Sequence, residues 1–360
     1  MMSISKMGAG TEGYYLRLAR EDYYARGSEP PGRWAGAGAV DLGFVGVVEP
    51  DDLRSLVEGV HPGTGKPLVQ SAGSKRHQSG WDLTFSAPKS VSVLWGLGDE
   101  ATRLRVEEGH QRAVDAALRY VEEEAVIGRR GKGGRSWEQA KAIFAVFDHG
   151  TSRAQDPALH SHALLLNIAL RDDGTTGTIH SKPCYEHKMA AGAVYRAELA
   201  SWLEQEMGIR TEPDGASFRI AAIPQPVCEH FSQRRQQIKS ALEAEGLQGA
   251  WASERAALAT RGHKKVLPRS DLYEQWRQEG KAIGYAPEPV VPVVSPVRRI
   301  PEVSSLEEGR REARRLIDST LERDDTFRKT DVIRDLCAGE YGAPRQPPAA
   351  RHTLPRRDPE

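Results

Sequence analysis

Cysteine is scarce in this 360-residue chain: Cys184, Cys228 and Cys337 are the only three, and none forms a CxxC pair. Scattered thiols of this kind exclude a disulfide scaffold and a zinc ribbon. Net charge is also missing, because 50 Lys and Arg balance 50 Asp and Glu. No global field announces a nucleic-acid partner, so such a role must rest on local charge. No apolar run approaches a membrane span, and the N-terminal MMSISKMGAGTEG lacks the apolar centre of a secretory signal. A cytoplasmic protein without membrane insertion is expected. A Walker A motif is absent too: GTGK has Val60 where a P-loop needs Gly and Pro67 where it needs Ser or Thr. That segment is read as a turn, and no ATP hydrolysis is expected.

What is present concentrates in residues 142–167, AIFAVFDHGTSRAQDPALHSHALLLN. Read as a strand, Leu159 to Asn167 places His160 and His162 on one face, about 7 Å apart. Ala142 to Asp148 is apolar, aromatic and short, which predicts a buried strand with His149 at its end. Antiparallel pairing through Gly150 to Ala158 brings His149 onto the other two. Three neutral imidazoles with coordination positions left over suit a catalytic divalent ion better than a closed structural site. A lone His-x-His is more often a surface or core pair. The third histidine, with Ser152, Arg153 and Asp156 nearby, makes the combination more specific, and Arg153 is read as a phosphate contact.

The Gly-rich run GRRGKGGR, with Arg129, Arg130, Lys132 and Arg135, precedes the first of these strands. A solvated linker accounts for it equally well in isolation; its position beside the histidines favours a phosphate-facing role for Arg129, Arg130 and Lys132.

Near the N-terminus, Tyr14-Tyr15 and Tyr23-Tyr24 place four of the ten tyrosines within eleven residues. Aromatic pairs on a helix usually pack in a core. As nucleophiles, tyrosines store a cleaved phosphodiester as a phosphotyrosine for later religation. A phenol of pKa about 10 needs a base, a metal or a cationic neighbour to attack near neutral pH. At about 100° per residue, Tyr14 and Tyr23 fall on opposite faces of a continuous helix. Both reach one metal only if that helix breaks or the second pair moves.

In SGWDLTFSAPKSVSVLWGL, Trp81, Leu83 and Phe85 alternate with Asp82, Thr84 and Ser86, the pattern of a half-buried strand that Pro88 ends. Asp82 on its polar face is read as a carboxylate that orients or deprotonates a nucleophile, and Lys89 as a phosphate contact. Pro30 to Gly46 reads as a loop anchored by Trp34 and Phe44. Amphipathic helices are expected over 99–125, with Leu104, Val114, Leu118 and Val121 inward, over 186–208, closed by Gly208, and over 227–246, where Arg234, Arg235 and Lys239 face phosphates. Helices on one side of an antiparallel sheet give an α+β domain.

The run PEPVVPVVSPVRRIP marks a domain boundary. The division expected is a catalytic domain over 1–286, a linker over 287–301, a helical region over 302–341 with Ser304 and Glu307 as a capping box, and a disordered tail over 342–360.

Together, the paired tyrosines, DLTFSAPKSVS and FDHGTSRAQDPALHSHALLLN, in that order, resemble the MobF family of conjugative relaxases, the TrwC/TraI type, over about residues 2–285. The FSQRRQQIKSAL and LATRGHKK segments resemble it as well. The resemblance implies an HUH-class DNA strand transferase with a central five-stranded antiparallel sheet flanked by helices and a helical C-terminal extension. It implies His149, His160 and His162 as ligands of a divalent ion, Mg²⁺ or Mn²⁺, with Zn²⁺ or others as alternatives. It also implies Tyr14 as first nucleophile, Tyr23 as second, Asp82 as activating base, and Tyr15 and Tyr24 as auxiliary. The implied partners are single-stranded DNA and a hairpin at the origin of transfer, relaxosome proteins and a type IV secretion coupling protein. Residues after Pro301 resemble the opening of the helicase that usually follows in this family. The competing classes are a rolling-circle replication initiator or single-stranded transposase, a hydrolase using water, and a DNA-binding protein with a degenerate site.

Overall fold

The computed structural model describes residues 2–7, 30–74, 76–246, 252, 267–287, 330, 331, 333 and 334. Tyr14, Tyr15, Tyr23 and Tyr24, the LATRGHKK segment, the linker beyond Pro287 and nearly all of the region after it lie outside the described residues.

The strands of the main sheet and of the basic hairpin are β1 (Met2–Lys6), β2 (Arg33–Ala35), β3 (Gly80–Ser86), β4 (Ile127–Arg130), β5 (Ser136–Gln139), β6 (Phe144–Thr151) and β7 (Pro157–Leu166). Five of them form one sheet in the order β1-β3-β7-β6-β2, with every neighbouring pair antiparallel. The helices are α1 (Ala37–Asp41), α2 (Pro50–Val57), α3 (Lys89–Leu97), α4 (Glu100–Ala125), α5 (Lys182–Glu186), α6 (Lys188–Gln205), α7 (Gln225–His230), α8 (Gln233–Glu245) and α9 (Arg269–Ala282). The domain is therefore α+β, and no helix among the described residues is long and apolar enough to cross a membrane.

Period-two alternation divides the sheet into two faces. One carries Trp81, Leu83, Phe85, Phe144, Val146, Ala163 and Leu165, buried under α3, α4 and α6. Each large side chain buried there contributes roughly 1.5–3 kcal/mol of transfer free energy. The other face carries Ala145, Phe147, Leu164 and Leu166, covered by a smaller layer that includes Trp34, Phe44, Leu53 and Leu56. That layer covers the Leu166 end. Toward the other end the same face carries Asp82, Thr84, His149, His160 and His162, and the site is built there.

Several expectations need correction. Pro30 to Gly46 is not simply a loop, because it holds β2 and the short α1; Trp34 and Phe44 do anchor it, with ring centroids 5.4 Å apart. Leu104 is 59% exposed. It lies two residues from fully buried Val106, some 200° around α4, so both cannot face the core. The helix expected over 186–208 starts earlier and is two helices, α5 and α6. The one expected over 227–246 is also two, α7 and α8. Phe231 turns into the core at the break, and its carbonyl accepts from the Lys89 ammonium. Gly246, in the left-handed conformation, closes α8.

Candidate metal centre

β6 and β7 pair so that His149 lies opposite His160 and Phe147 opposite His162. Side chains two apart on β7 share a face, and directly opposed residues share it too, so all three imidazoles converge. Ring centroids are 5.3 Å apart for His149 and His160, 5.1 Å for His149 and His162, and 5.2 Å for His160 and His162. One nitrogen from each lies within 4.8 Å of the other two. The connection is shorter than the Gly150–Ala158 loop expected: β6 continues to Thr151, β7 begins at Pro157, and only residues 152–156 turn.

Hydrogen bonds on the far side of the rings set which nitrogen is presented. His160 Nδ1 is 2.7 Å from Ala158 O, so Nδ1–H donates to that carbonyl and Nε2 is left for an ion. His162 Nδ1 is 2.7 Å from Asp82 Oδ2 and donates to it. A carboxylate behind a histidine ligand fixes the tautomer and raises its basicity. Three imidazole nitrogens fit a divalent first-row ion, and among the described residues no carboxylate completes the cluster.

Asp82 is not on a solvated face. It is 5% exposed, and its other oxygen accepts from Thr84 Oγ1 at 3.2 Å. Its demonstrated contact is therefore with His162. Arg153, half-buried in the 152–156 turn, sits at the histidine end of the sheet.

Lys89 is elsewhere than a phosphate-facing reading requires. Its ammonium donates to Pro157 O at 2.8 Å and to Phe231 O at 2.9 Å, joining β7 to the α7–α8 break. Burial pushes its pKa down, with Asp156 opposing.

The basic run is not beside the histidines. It forms the β4–β5 hairpin, and the chain enters β6 at Phe144; His149 lies five residues further on, roughly 16 Å along an extended strand. Adjacency to the start of a strand places this run at the opposite end of the sheet. Arg130 pairs with Glu138 and Asp173, each at 2.5 Å. Arg129 reaches His180 Nδ1 at 3.2 Å in an open cleft also lined by Lys6, Lys182 and Tyr185. There Trp137, 63% exposed, stacks on His180 with centroids 4.4 Å apart.

Sequence reasoning misses a buried polar chain beneath the histidines. Ser161, between His160 and His162 but pointing to the other face, donates to Asp148 Oδ1 at 2.5 Å and lies 2.7 Å from His110 Nε2. His110 Nδ1 lies 2.7 Å from Tyr195 Oη. Burial pushes the His110 pKa down to about 4, so it is neutral at pH 7. Nothing in local spacing ties a helix histidine to a strand serine 51 positions away.

Residues 8–283 match the TrwC relaxase family profile. The multifunctional conjugation protein TraI of Escherichia coli K12 is 35% identical over 299 residues, covering 79% of this chain and 16% of TraI. A second Escherichia coli TraI is 34% identical over 297 residues with the same coverage. The chain thus spans about a sixth of these relatives. Among solved structures, the conjugative relaxase TrwC in a copper-bound complex with oriT DNA superimposes with TM-score 0.70 at 31% identity, covering 79% of this chain and 99% of that one. TrwC bound to a 27-mer DNA comprising the recognition hairpin and cleavage site gives TM-score 0.69 at 29% identity, with the same coverage.

Proposed function

Because this chain belongs to the TrwC relaxase family, we propose that it is a conjugative DNA relaxase, nicking one strand at an origin of transfer through a tyrosine nucleophile. The observation that carries this is the convergence of His149, His160 and His162 beside buried Asp82.

Chain reach admits both tyrosines proposed as nucleophiles. Tyr14 is seven residues past Met7, whose N–H donates to Gly80 O at the edge of β3. Tyr23 is seven residues before Pro30, and Gly32 lies against Phe147, two residues from His149. Seven residues span at most about 25 Å.

In the reaction proposed, the Tyr14 hydroxyl oxygen bonds to the scissile phosphorus while the bond from phosphorus to the 3′-oxygen breaks in line. The products are a 5′-phosphotyrosine and a free 3′-hydroxyl. Asp82, which holds His162, takes the phenolic proton, and the leaving 3′-oxygen takes one from solvent, to which Asp82 later returns its own. A divalent ion held by the three histidines would neutralise charge on the phosphate oxygens. An all-nitrogen donor set suits Mn²⁺ or a softer first-row ion better than Mg²⁺, which prefers oxygen ligands. The ester keeps the linkage, so the step is reversible without ATP, and Tyr23 serves a second transfer that rejoins the strand. Tyr15 and Tyr24 are auxiliary.

Arg153 and the α8 cations, Arg234, Arg235 and Lys239, are proposed to hold phosphates of the single strand near the nick. Arg129, with the Trp137–His180 stack, holds DNA further from it, where exposed aromatics and cations together favour bases and phosphates. The relatives are conjugation proteins, so relaxosome proteins and a secretion coupling protein are proposed partners in the cytoplasm.

The experiment is a denaturing gel with labelled single-stranded DNA spanning the element's own transfer origin, with Mn²⁺ or EDTA, for wild type and Tyr14→Phe. A metal-dependent covalent adduct absent from the variant is expected. Cleavage without an adduct would assign the attack to water and make the protein a hydrolase.

A further inference from the structure

The turn between the two metal strands is gripped from outside the sheet. Asp156 is 3% exposed, and its carboxylate accepts from Ser152 Oγ at 3.0 Å inside the turn. It also accepts the backbone N–H groups of Gln233 at 3.3 Å and Arg234 at 3.0 Å. These are the first two amides of α8, and Ser232, the residue at its N-cap, makes no side-chain capping bond. Asp156 therefore caps α8 from 77 residues away in sequence, doing for that helix what a local Ser or Asp usually does. On the other side of the same turn, Trp276 of α9 donates to Gln155 O at 2.7 Å. Gln155 is the only non-glycine among the described residues with positive φ, at 64°.

Among the described residues α8 has little else to hold it beyond the Gln236 side chain, which donates to Glu229 O at 2.7 Å. None of its described residues is buried, so the usual source of helix stability, packing of an apolar face, is weak. Yet it carries Arg234, Arg235 and Lys239, and its root is fixed to the five-residue turn that separates the strands bearing His149 and His160.

We propose that Asp156 is a positioning residue for strand transfer: it seats the cationic helix α8 on the metal hairpin, registering DNA phosphates held by α8 against the three histidines. The inference rests on the relaxase reading. Asp156 acts through α8 and touches neither the reacting phosphate nor the ion.

The test compares wild type, Asp156→Ala and Asp156→Asn of the full chain. Single-turnover adduct formation is followed at varied concentrations of origin-spanning single-stranded DNA, with KM read as the half-saturating DNA concentration and kcat as the plateau rate, alongside Mn²⁺ binding by calorimetry without DNA and hydrogen exchange of α8 amides. Losing the cap in the alanine variant should raise KM for DNA about tenfold, with kcat and Mn²⁺ affinity within about threefold of wild type. Asparagine, which keeps one acceptor oxygen for the shorter bond from Arg234 N–H, should bring KM back to within about threefold. Exchange protection at Arg234 should fall in the alanine variant and return in the asparagine variant. A drop in kcat at unchanged KM, or a parallel loss of Mn²⁺ affinity, would mean that Asp156 shapes the ligand strands instead, and would overturn the proposal. Unchanged protection of α8 would overturn it independently of DNA. If wild type forms no adduct, the relaxase reading fails and the reaction role falls with it, while the exchange data still decide whether Asp156 seats α8.

Discussion

Asp82 and His162, 80 residues apart in sequence, meet at 2.7 Å between Oδ2 and Nδ1 because β3 and β7 are neighbours in the sheet. The strand register alone puts Thr84 opposite His162, and Asp82, two residues along on the same face, reaches the ring diagonally. A buried carboxylate is thereby matched with the N–H of one of the three clustered histidines.

Removing that carboxylate should loosen the ligand. Asp82→Ala is expected to lower Mn²⁺ affinity about 10- to 100-fold in calorimetry without DNA, the usual effect of losing an outer-shell partner. Asp82→Asn keeps an acceptor for Nδ1–H but loses the base, so its activity should fall further than its metal affinity does. Equal affinity in wild type and Asp82→Ala would show that His162 is oriented without it.

Metal binding should also register as stability. At a free Mn²⁺ concentration of 100 times Kd, a native-state site contributes about 2.7 kcal/mol. For a domain of this size that is worth several degrees in Tm. His160→Ala is expected to abolish the Mn²⁺-dependent rise while leaving the EDTA-treated Tm within a few degrees of wild type. A rise that survives His160→Ala would place the stabilising ion elsewhere.

The buried His110 predicts a pH dependence. Its folded pKa, pushed down by burial to about 4, lies below the unfolded value near 6.5. The unfolded chain therefore binds the proton more readily. The stability this histidine protects is intact above pH 6.5 and is lost as pH falls toward 4, by an amount on the order of 3 kcal/mol. Urea midpoints at pH 7 and pH 5 should differ more for wild type than for His110→Gln, which keeps hydrogen bonding toward Ser161 and Tyr195 without titrating. Parallel losses in both proteins would assign the dependence to other groups.

The parts legible in the sequence are those with a local period. Trp81, Leu83 and Phe85 declare β3, His160 and His162 declare one face of β7, and Val114, Leu118 and Val121 declare the buried stripe of α4. β1 goes unread because MSISK offers only two apolar positions, Met2 and Ile4, alternating with Ser3 and Ser5, too short a run to mark a strand. What fails is non-local. The break at Phe231 depends on a lysine 142 residues away, and the basic run falls at the other end of its strand from the histidines because sequence distance carries no direction. The Asp82 contact likewise follows from a strand neighbour that only the sheet order reveals.

Gly150 joins the core to the metal face at one atom's clearance, and its replacement is the most direct probe of that coupling. It follows His149 on β6 and points to the opposite face, where a Cβ would sit 2.2 Å from Trp95 Cη2. Trp95 cannot retreat: it is fully buried, its Nε1 donates to Glu107 Oε1 at 2.9 Å, and Tyr273 and Trp276 pack on it. The strand must move instead. Gly150→Ala is therefore expected to cost about 1–3 kcal/mol in urea unfolding, the usual range for overpacking. Because the shifted backbone carries His149, Mn²⁺ affinity should fall with it. Trp95→Phe in the same chain removes the clashing ring edge, so the double variant should recover Mn²⁺ affinity relative to Gly150→Ala alone. Additive losses in the double variant would mean that the glycine matters for some reason other than the space Trp95 takes.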